Sequence, residues 1–191
     1  MEPVSAVAER VSPFSRSALD FSQDFFSLFG LKRQFSIDTQ ALERAYIALQ
    51  KQFHPDRFAA MQEHERRAAT QWSIRVNEGY RELRDDLSRA IYLLSLLGTS
   101  LEENPVLPGD FLMMQLELRE ALEEIEQSEA LPALDQFNQQ LKRNIADQTA
   151  QLSGFFEAGQ QDEALKSVYA LQFLKKLEQD SRRLEDQWLD L

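Results

Sequence analysis

Residues 39–58 read TQALERAYIALQKQFHPDRF, and this stretch decides the fold. Asp38-Thr39 offers a helix N-cap just before it. Leu42, Tyr46, Leu49 and Phe53 then recur at spacings of four, three and four, which is one stripe of an α-helix. At about 100° per residue, Arg44 and Lys51 fall on the opposite, wet face. Pro55 cannot continue the helix and drives His54 out of the α region. The stretch is therefore an amphipathic helix that stops abruptly at a rigid His54-Pro55-Asp56 loop.

The pattern extends in both directions. Upstream, DFFSLF at 24–29 makes a short apolar turn closed by Gly30. Downstream, a second helix is expected over about 61–84, with Ala69, Trp72, Val76, Tyr80 and Leu83 on its apolar face. Two such helices joined by a short Pro-containing loop should pack as an antiparallel hairpin. DLSRAIYLLSLL at 86–97 is a further short helix ending at Gly98. Packing of Tyr92, Leu96 and Leu97 on the C-terminal bundle is expected to limit hinge motion. TSLEENPVLPGD at 99–110 then breaks every periodicity, with Pro105, Pro108 and Gly109, and marks a domain boundary.

Beyond that boundary three helices are expected, near 110–127, 131–157 and 161–188. Leu134, Phe137, Leu141, Ile145, Leu152 and Phe155 form the stripe of the middle one, and Gly154 and Gly159 mark its end. Three amphipathic helices with short connections imply a bundle. Residues 1–20 show no sustained periodicity and are read as an extension. The fold class is all-α: a helical hairpin followed by a three-helix bundle, in an L-shaped two-domain arrangement.

Composition excludes several functions. The 191 residues contain no cysteine, so there is no disulfide framework, no Cys-ligated zinc or iron–sulfur cluster and no cysteine nucleophile. Two histidines make a His-rich metal site improbable. No cofactor and no metal is expected. No apolar run approaches the length that spans a bilayer, and the start lacks the apolar core of a secretory signal. Arg10, Arg16 and several serines hint at a mitochondrial transit peptide, but Glu2, Glu9 and Asp20 argue against it. The formal charge of −11 is uneven. Residues 24–97 carry eleven Lys and Arg against ten acids, and residues 98–191 carry eight against nineteen. A molecule this acidic is repelled by phosphate backbones, so nucleic acid is not an expected partner; without a spanning run, nor is a membrane.

His54 and Asp56 on an exposed loop have the chemistry of an acid/base pair. Nothing nearby completes a catalytic site: there is no Gly-rich phosphate cradle and no G-x-S-x-G elbow. The plainer reading is a helix-stop loop with a solvated imidazole. The first C-terminal helix carries a second signal. Taking Phe111 as the origin, Met114, Leu118, Leu122 and Ile125 fall within about 60° and form a buried stripe. Leu112, Met113 and Leu116 lie on the far side, among Glu117, Glu120, Glu123 and Glu124. An apolar patch rimmed by acids reads as a partner site. Burial of this helix on two sides is the competing explanation.

The order DFFSLFGL, QKQFHPDRF, then ERRAATQWSIRVNEGYRELRDDLSRAIYLL resembles the J-domain of DnaJ-type co-chaperones. The match includes His54-Pro55-Asp56 between the long helices, Asn77, Tyr80 and Leu83 late in the second, and Arg89-Ala90-x-Tyr92 after it. With a C-terminal half that begins DFLMMQLELREALEEIEQ and later reads LQFLKKLEQ, the chain resembles the HscB-type co-chaperones of iron–sulfur cluster assembly over about residues 22–191. Gly79 and Asp86 depart from that family's usual Ala and Pro, and both are expected to loosen the end of the hairpin. Eukaryotic relatives often carry a Cys-based zinc site, which this chain lacks the residues to form; the bacterial type, and a cytoplasmic rather than mitochondrial location, follow.

The resemblance implies a division into an extension (1–21), a J-domain (22–97), a linker (98–110) and a scaffold-binding bundle (111–191). It implies that the J-domain stimulates ATP hydrolysis by a DnaK-type chaperone, HscA, and that the bundle holds the scaffold protein IscU, while the chain itself hydrolyses nothing. On the chaperone side the implied residues are His54, Pro55, Asp56, Arg44, Lys51 and Arg57. On the scaffold side they are Leu112, Met113, Leu116, Glu117, Glu120, Glu124 and Phe173. Three other readings stand beside this one: a J-protein serving another client, an acid/base enzyme using His54 and Asp56, and a helical adaptor with no ATPase link.

Overall fold

The computed structural model describes residues 21–189, apart from 59, 60 and 104. These residues form seven α-helices and one 3₁₀ turn, with no strand among them. The helices are α1 (Phe25–Leu28), α2 (Thr39–Gln52), α3 (Glu63–Arg84), α4 (Asp86–Leu96), α5 (Gly109–Ser128), α6 (Leu131–Glu157) and α7 (Gln161–Leu189). The all-α expectation holds. The extension expected over residues 1–20 lies outside the described residues.

The described chain divides into two compact units: residues 21–32 with 40–80, and residues 33–39 with 81–189. In the first unit α2 and α3 run antiparallel. Tyr46 stacks on Tyr80 at 4.0 Å between ring centres, and Phe53 stacks on Trp72 at 5.6 Å. Leu42, Phe53, Ala69, Trp72 and Val76 are buried. These are the stripes that the spacing predicts; each hides apolar area from water, which is worth about 1.5–3 kcal/mol per large side chain. Asp24 caps α1, accepting from the Ser27 N–H at 3.0 Å and the Ser27 hydroxyl at 2.8 Å.

Gly79 corrects an expectation. A Cβ there would stand 2.6 Å from Cδ1 of Phe25 and 3.0 Å from Cε2 of Phe29. The missing side chain is what lets two aromatic rings lie on α3, so Gly79 tightens the packing rather than loosening it. Asp86 does not loosen its corner either, because its carboxylate pairs with the Arg89 guanidinium.

In the second unit α6 and α7 form a long antiparallel pair, with Asn138 accepting from Ser181 at one end and Ser167 from Gln148 farther along. α5 packs across both, and α4 packs on α7. The core includes Leu134, Leu141, Leu152, Val168, Leu171, Leu174 and Leu177. α6 runs through Gly154, and the turn comes at Gly159, whose φ of 68° is the left-handed conformation that glycine adopts cheaply. α4 buries Ala90, Leu93 and Leu94, while Leu97 stays 48% exposed and Tyr92 is half-buried. Ala90, Leu93 and Leu94 are thus the residues this helix buries most deeply, with Tyr92 and Leu96 half-buried beside them.

Two polar clamps hold this unit together. Arg89 is 4% exposed. Its Nε donates to the Phe35 carbonyl at 2.7 Å, its Nη1 to the Leu83 carbonyl at 2.6 Å, and its guanidinium lies over the Phe35 ring. A buried cation is tolerated when its donors find acceptors, and here each of the three guanidinium nitrogens donates. Asp85 caps α4 through the Ser88 N–H at 2.8 Å and accepts from Lys175 of α7 at 2.5 Å. Burial pushes the Asp85 carboxyl up, but the bonds from Lys175 and Ser88 outweigh it and hold the group below its usual range. Glu82, nearby in sequence, is pushed up by burial and by the Asp85 charge.

Candidate functional site

Two surfaces carry the residues singled out in the sequence, one on each unit. The first is the loop after α2. Its ends are fixed by two aromatics, Phe53 (0% exposed) and Phe58 (2% exposed), which sink into the first unit's core. Between them the 3₁₀ turn Pro55–Phe58 is closed by the Arg57 N–H donating to the His54 carbonyl at 3.0 Å. With both ends anchored, the side chains of His54 and Asp56 face outward. The His54 side chain is 54% exposed and that of Asp56 90%. The Asp56 N–H donates to Nδ1 of His54 at 3.3 Å, so the neutral ring carries its proton on Nε2, which is left for an outside acceptor. Oδ2 of the Asp56 carboxylate lies 3.6 Å from the same nitrogen.

Arg57, expected at the partner surface, is in part committed to the loop: its Nη1 donates to the Lys51 carbonyl at 3.1 Å and caps the open end of α2. Arg44 and Lys51 are exposed. Together with Ile47 and His54 they follow one side of α2 at intervals of three, four and three. Tyr46, Ile47, Gln50, Lys51, His54 and Arg57 border a shallow groove of about 430 Å³. The carbonyl oxygen of Asn77, one of the motif residues, accepts from Tyr46 Oη at 3.0 Å and also from Gln50.

Two residues of this surface escape a reading of the sequence. Phe58 is indistinguishable there from any aromatic after a turn, although its symmetry with Phe53 about the tetrapeptide is a signal. Ile47, 44% exposed, lies off the apolar stripe and is legible only as a lone hydrophobe on a wet face.

The second surface is on α5. Phe111, Met114, Leu118, Leu122 and Ile125 are half-buried, and Phe111, Leu118 and Leu122 pack on the cluster of Leu141, Phe173, Leu174 and Leu177. Leu112, Met113 and Leu116 stay 49%, 58% and 51% exposed, and Glu117, Glu120 and Glu124 are exposed beside them. Within this unit the helix is buried on one side only. Phe173 is placed differently from the other six. It is 8% exposed and part of the core, with the Phe111 ring edge-on at 6.3 Å and the Arg119 guanidinium 5.6 Å above its ring. It forms the floor of a groove between α5 and α7 beside the patch.

No group of three or more metal-ligating side chains lies together among the described residues, and no helix of them is long and apolar enough to cross a membrane.

Known proteins resemble this chain along most of its length. The family model described as the HSCB C-terminal oligomerisation domain matches residues 107–181. A co-chaperone protein HscB homolog of Cupriavidus taiwanensis is 43% identical over 169 residues, covering 85% of this chain and 96% of the relative. One from Azoarcus sp. is 42% identical over 166 residues, covering 85% and 94%. Among solved structures, chaperone HscB from Vibrio cholerae superposes with a TM-score of 0.78 at 38% identity, covering 87% of this chain and 99% of that one. Human co-chaperone protein HscB gives 0.83 at 29% identity, covering 88% and 85%. These relatives are named as chaperones or co-chaperones and not as enzymes. Such identity along nearly their whole length, on the same helical fold, makes this chain a member of the HscB co-chaperone family.

Proposed function

We propose that this co-chaperone stimulates ATP hydrolysis by a DnaK-type chaperone, HscA, and delivers to it the iron–sulfur scaffold protein IscU, acting in the bacterial cytoplasm. In this reading residues 22–97 act as the J-domain, 98–110 as the linker and 111–191 as the scaffold-binding module. The observation that carries the proposal is the loop pinned by Phe53 and Phe58. It presents His54 and Asp56 as directional hydrogen-bonding groups with little conformational freedom left to lose on binding. Arg44 and Lys51 add positive charge along α2, which steers an acidic partner toward the loop. Arg57 contributes mainly by holding the loop to the end of α2.

On the second module Leu112, Met113 and Leu116 supply the apolar centre of the scaffold contact, and Glu117, Glu120 and Glu124 its charged rim. Phe173 supports this face from beneath. The chemistry of the reaction belongs to the partner chaperone; His54 and Asp56 act as binding groups. The test is ATP turnover by the host's HscA-type chaperone, alone, with this protein, and with this protein plus the scaffold. Turnover should rise with the co-chaperone and rise further with the scaffold. No rise in either case refutes the proposal.

A second reading of the α5 face comes from the description of the matched family model as an oligomerisation domain. On that reading the same patch pairs with a second copy of the chain. Sedimentation of the protein with and without scaffold separates the two, since self-association through this patch is displaced by scaffold binding.

A further inference from the structure

The second unit contains a cavity that neither the loop after α2 nor the α5 face uses. It lies where the segment before α2, the end of α4 and the turn between α6 and α7 converge, and it encloses about 460 Å³. Phe35 and Leu93 line it as buried side chains, Phe155 and Phe156 are half-buried, and Leu97 is exposed at its edge. The aromatic lining is held in place. The Phe35 ring has the Arg89 guanidinium 5.0 Å from its centre and stacks on the Phe156 ring at 5.4 Å. The Phe35 carbonyl accepts from Arg89, and a 2.7 Å bond joins the hydroxyls of Ser36 and Ser153. The rest of the lining is polar: Arg33, Gln34 and Ser36 from the first segment, and Glu157, Gln160 and Gln161 from the turn. One guanidinium and one carboxylate leave it without net charge, in a half of the chain that is otherwise strongly acidic. Among the described residues the Gln34 side-chain carbonyl, the Gln161 NH2 group and both ends of the Gln160 carboxamide make no hydrogen bond.

We propose that this cavity binds a small aromatic molecule with an uncharged, amide-like head group. Its volume is at the small end of the range for ligand sites, which suits one or two fused rings. Such a ring can pack edge-on or offset against Phe35, Phe155 and Phe156, the arrangements that aromatic pairs prefer. The two charged lining residues, Arg33 and Glu157, are both exposed, so a charge carried into the apolar part would stay uncompensated. At the polar edge a charged head group meets both of them, one attracting and one repelling, and its charge gains little. A carboxamide both donates and accepts, so Gln34, Gln160 and Gln161 together match a head group that does the same. The walls are already fixed by the contacts of Phe35 and Ser36, so little ordering is left to oppose binding.

The experiment titrates three indoles that differ mainly in head-group charge into the full, isotope-labelled chain, read by heteronuclear NMR. The probes are indoleacetamide (neutral), indoleacetate (an anion) and tryptamine (a cation). Indoleacetamide should bind with a Kd below about 1 mM and shift the backbone amides of Leu93, Gly159 and Gln160 together with the Gln160 side-chain NH2. The two charged indoles should bind at least about fivefold more weakly, since their charge is opposed at the polar edge. Phe156→Ala removes an aromatic wall and should weaken binding of indoleacetamide about tenfold. That variant also loses the stack on Phe35, so Gln160→Ala, at an exposed position, gives a second reading. It should weaken binding about threefold with the melting temperature unchanged. Absence of a saturable shift overturns the proposal, and so do shifts centred on residues outside the cavity. A charged indole that binds as tightly as indoleacetamide overturns the assigned ligand class. Wild-type affinity in Gln160→Ala and in a folded Phe156→Ala shows that the cavity is not the site.

Discussion

Truncating Leu112, Met113 and Leu116 together to Ala is the most informative single change. These side chains are 49%, 58% and 51% exposed, so about half of each is available to a partner. Complete burial of a Leu or Met side chain is worth about 1.5–3 kcal/mol, so half of each is worth about 0.8–1.5 kcal/mol. Three such losses amount to about 2–4.5 kcal/mol, a weakening of scaffold binding by about two to three powers of ten, somewhat less where the three effects overlap. The fold should survive. The removed atoms are half in water already, and Ala is the best helix former, so the stability cost should stay within about 1–2 kcal/mol. The assay is calorimetric titration with scaffold, beside a far-ultraviolet melting curve. ATP turnover by the partner chaperone, measured without scaffold, should be unchanged. A folded triple variant that binds scaffold like the wild type refutes the reasoning, because the exposed patch would then contribute nothing to the contact.

Three other outcomes are expected. His54→Gln and Asp56→Asn should each abolish stimulation of the chaperone ATPase with stability shifted by no more than about 0.5 kcal/mol, since both side chains are exposed; turnover and urea unfolding check this. Phe58→Ala should lose stimulation by a different route, destabilising the first unit by about 3–5 kcal/mol, visible as a lowered urea midpoint. The Asp85 carboxyl is held below its ordinary value of 3.8 in the folded chain, so its contribution to stability is present above pH 3.8 and is lost as the pH falls through the lower folded value. Lys175→Met removes the cation mainly responsible, and acid titration followed by circular dichroism should show unfolding beginning at a higher pH than in wild type.

Much of this protein is legible in its residues alone. The 3.6-residue recurrence of Leu, Phe and Trp sets each long helix, because an amphipathic segment has one way to hide its stripe. Pro55 and the Pro/Gly stretch at 105–109 place the main breaks, because proline lacks the N–H a helix needs. The exposure of Leu112, Met113 and Leu116 is foreshadowed by their position opposite the Phe111 stripe, and burial of α5 on one side makes it real.

Other features depend on atoms far apart in sequence, and no local pattern records them. Gly79 reads as a weak point in a helix until the Phe25 and Phe29 rings are seen against it. Arg89 is legible in the sequence only as a motif residue; the Phe35 and Leu83 carbonyls that accept from its buried guanidinium come from other elements. Phe173 on its own reads as core, and only the resemblance makes it a contact; Phe111 and Arg119 closing over its ring make it the floor of the groove. Periodicity reports which face of a helix is apolar, since that depends only on spacing along one chain segment. Which apolar or charged groups finally meet is settled by packing, where a gap of one methyl group or one unsatisfied donor is enough to decide between arrangements.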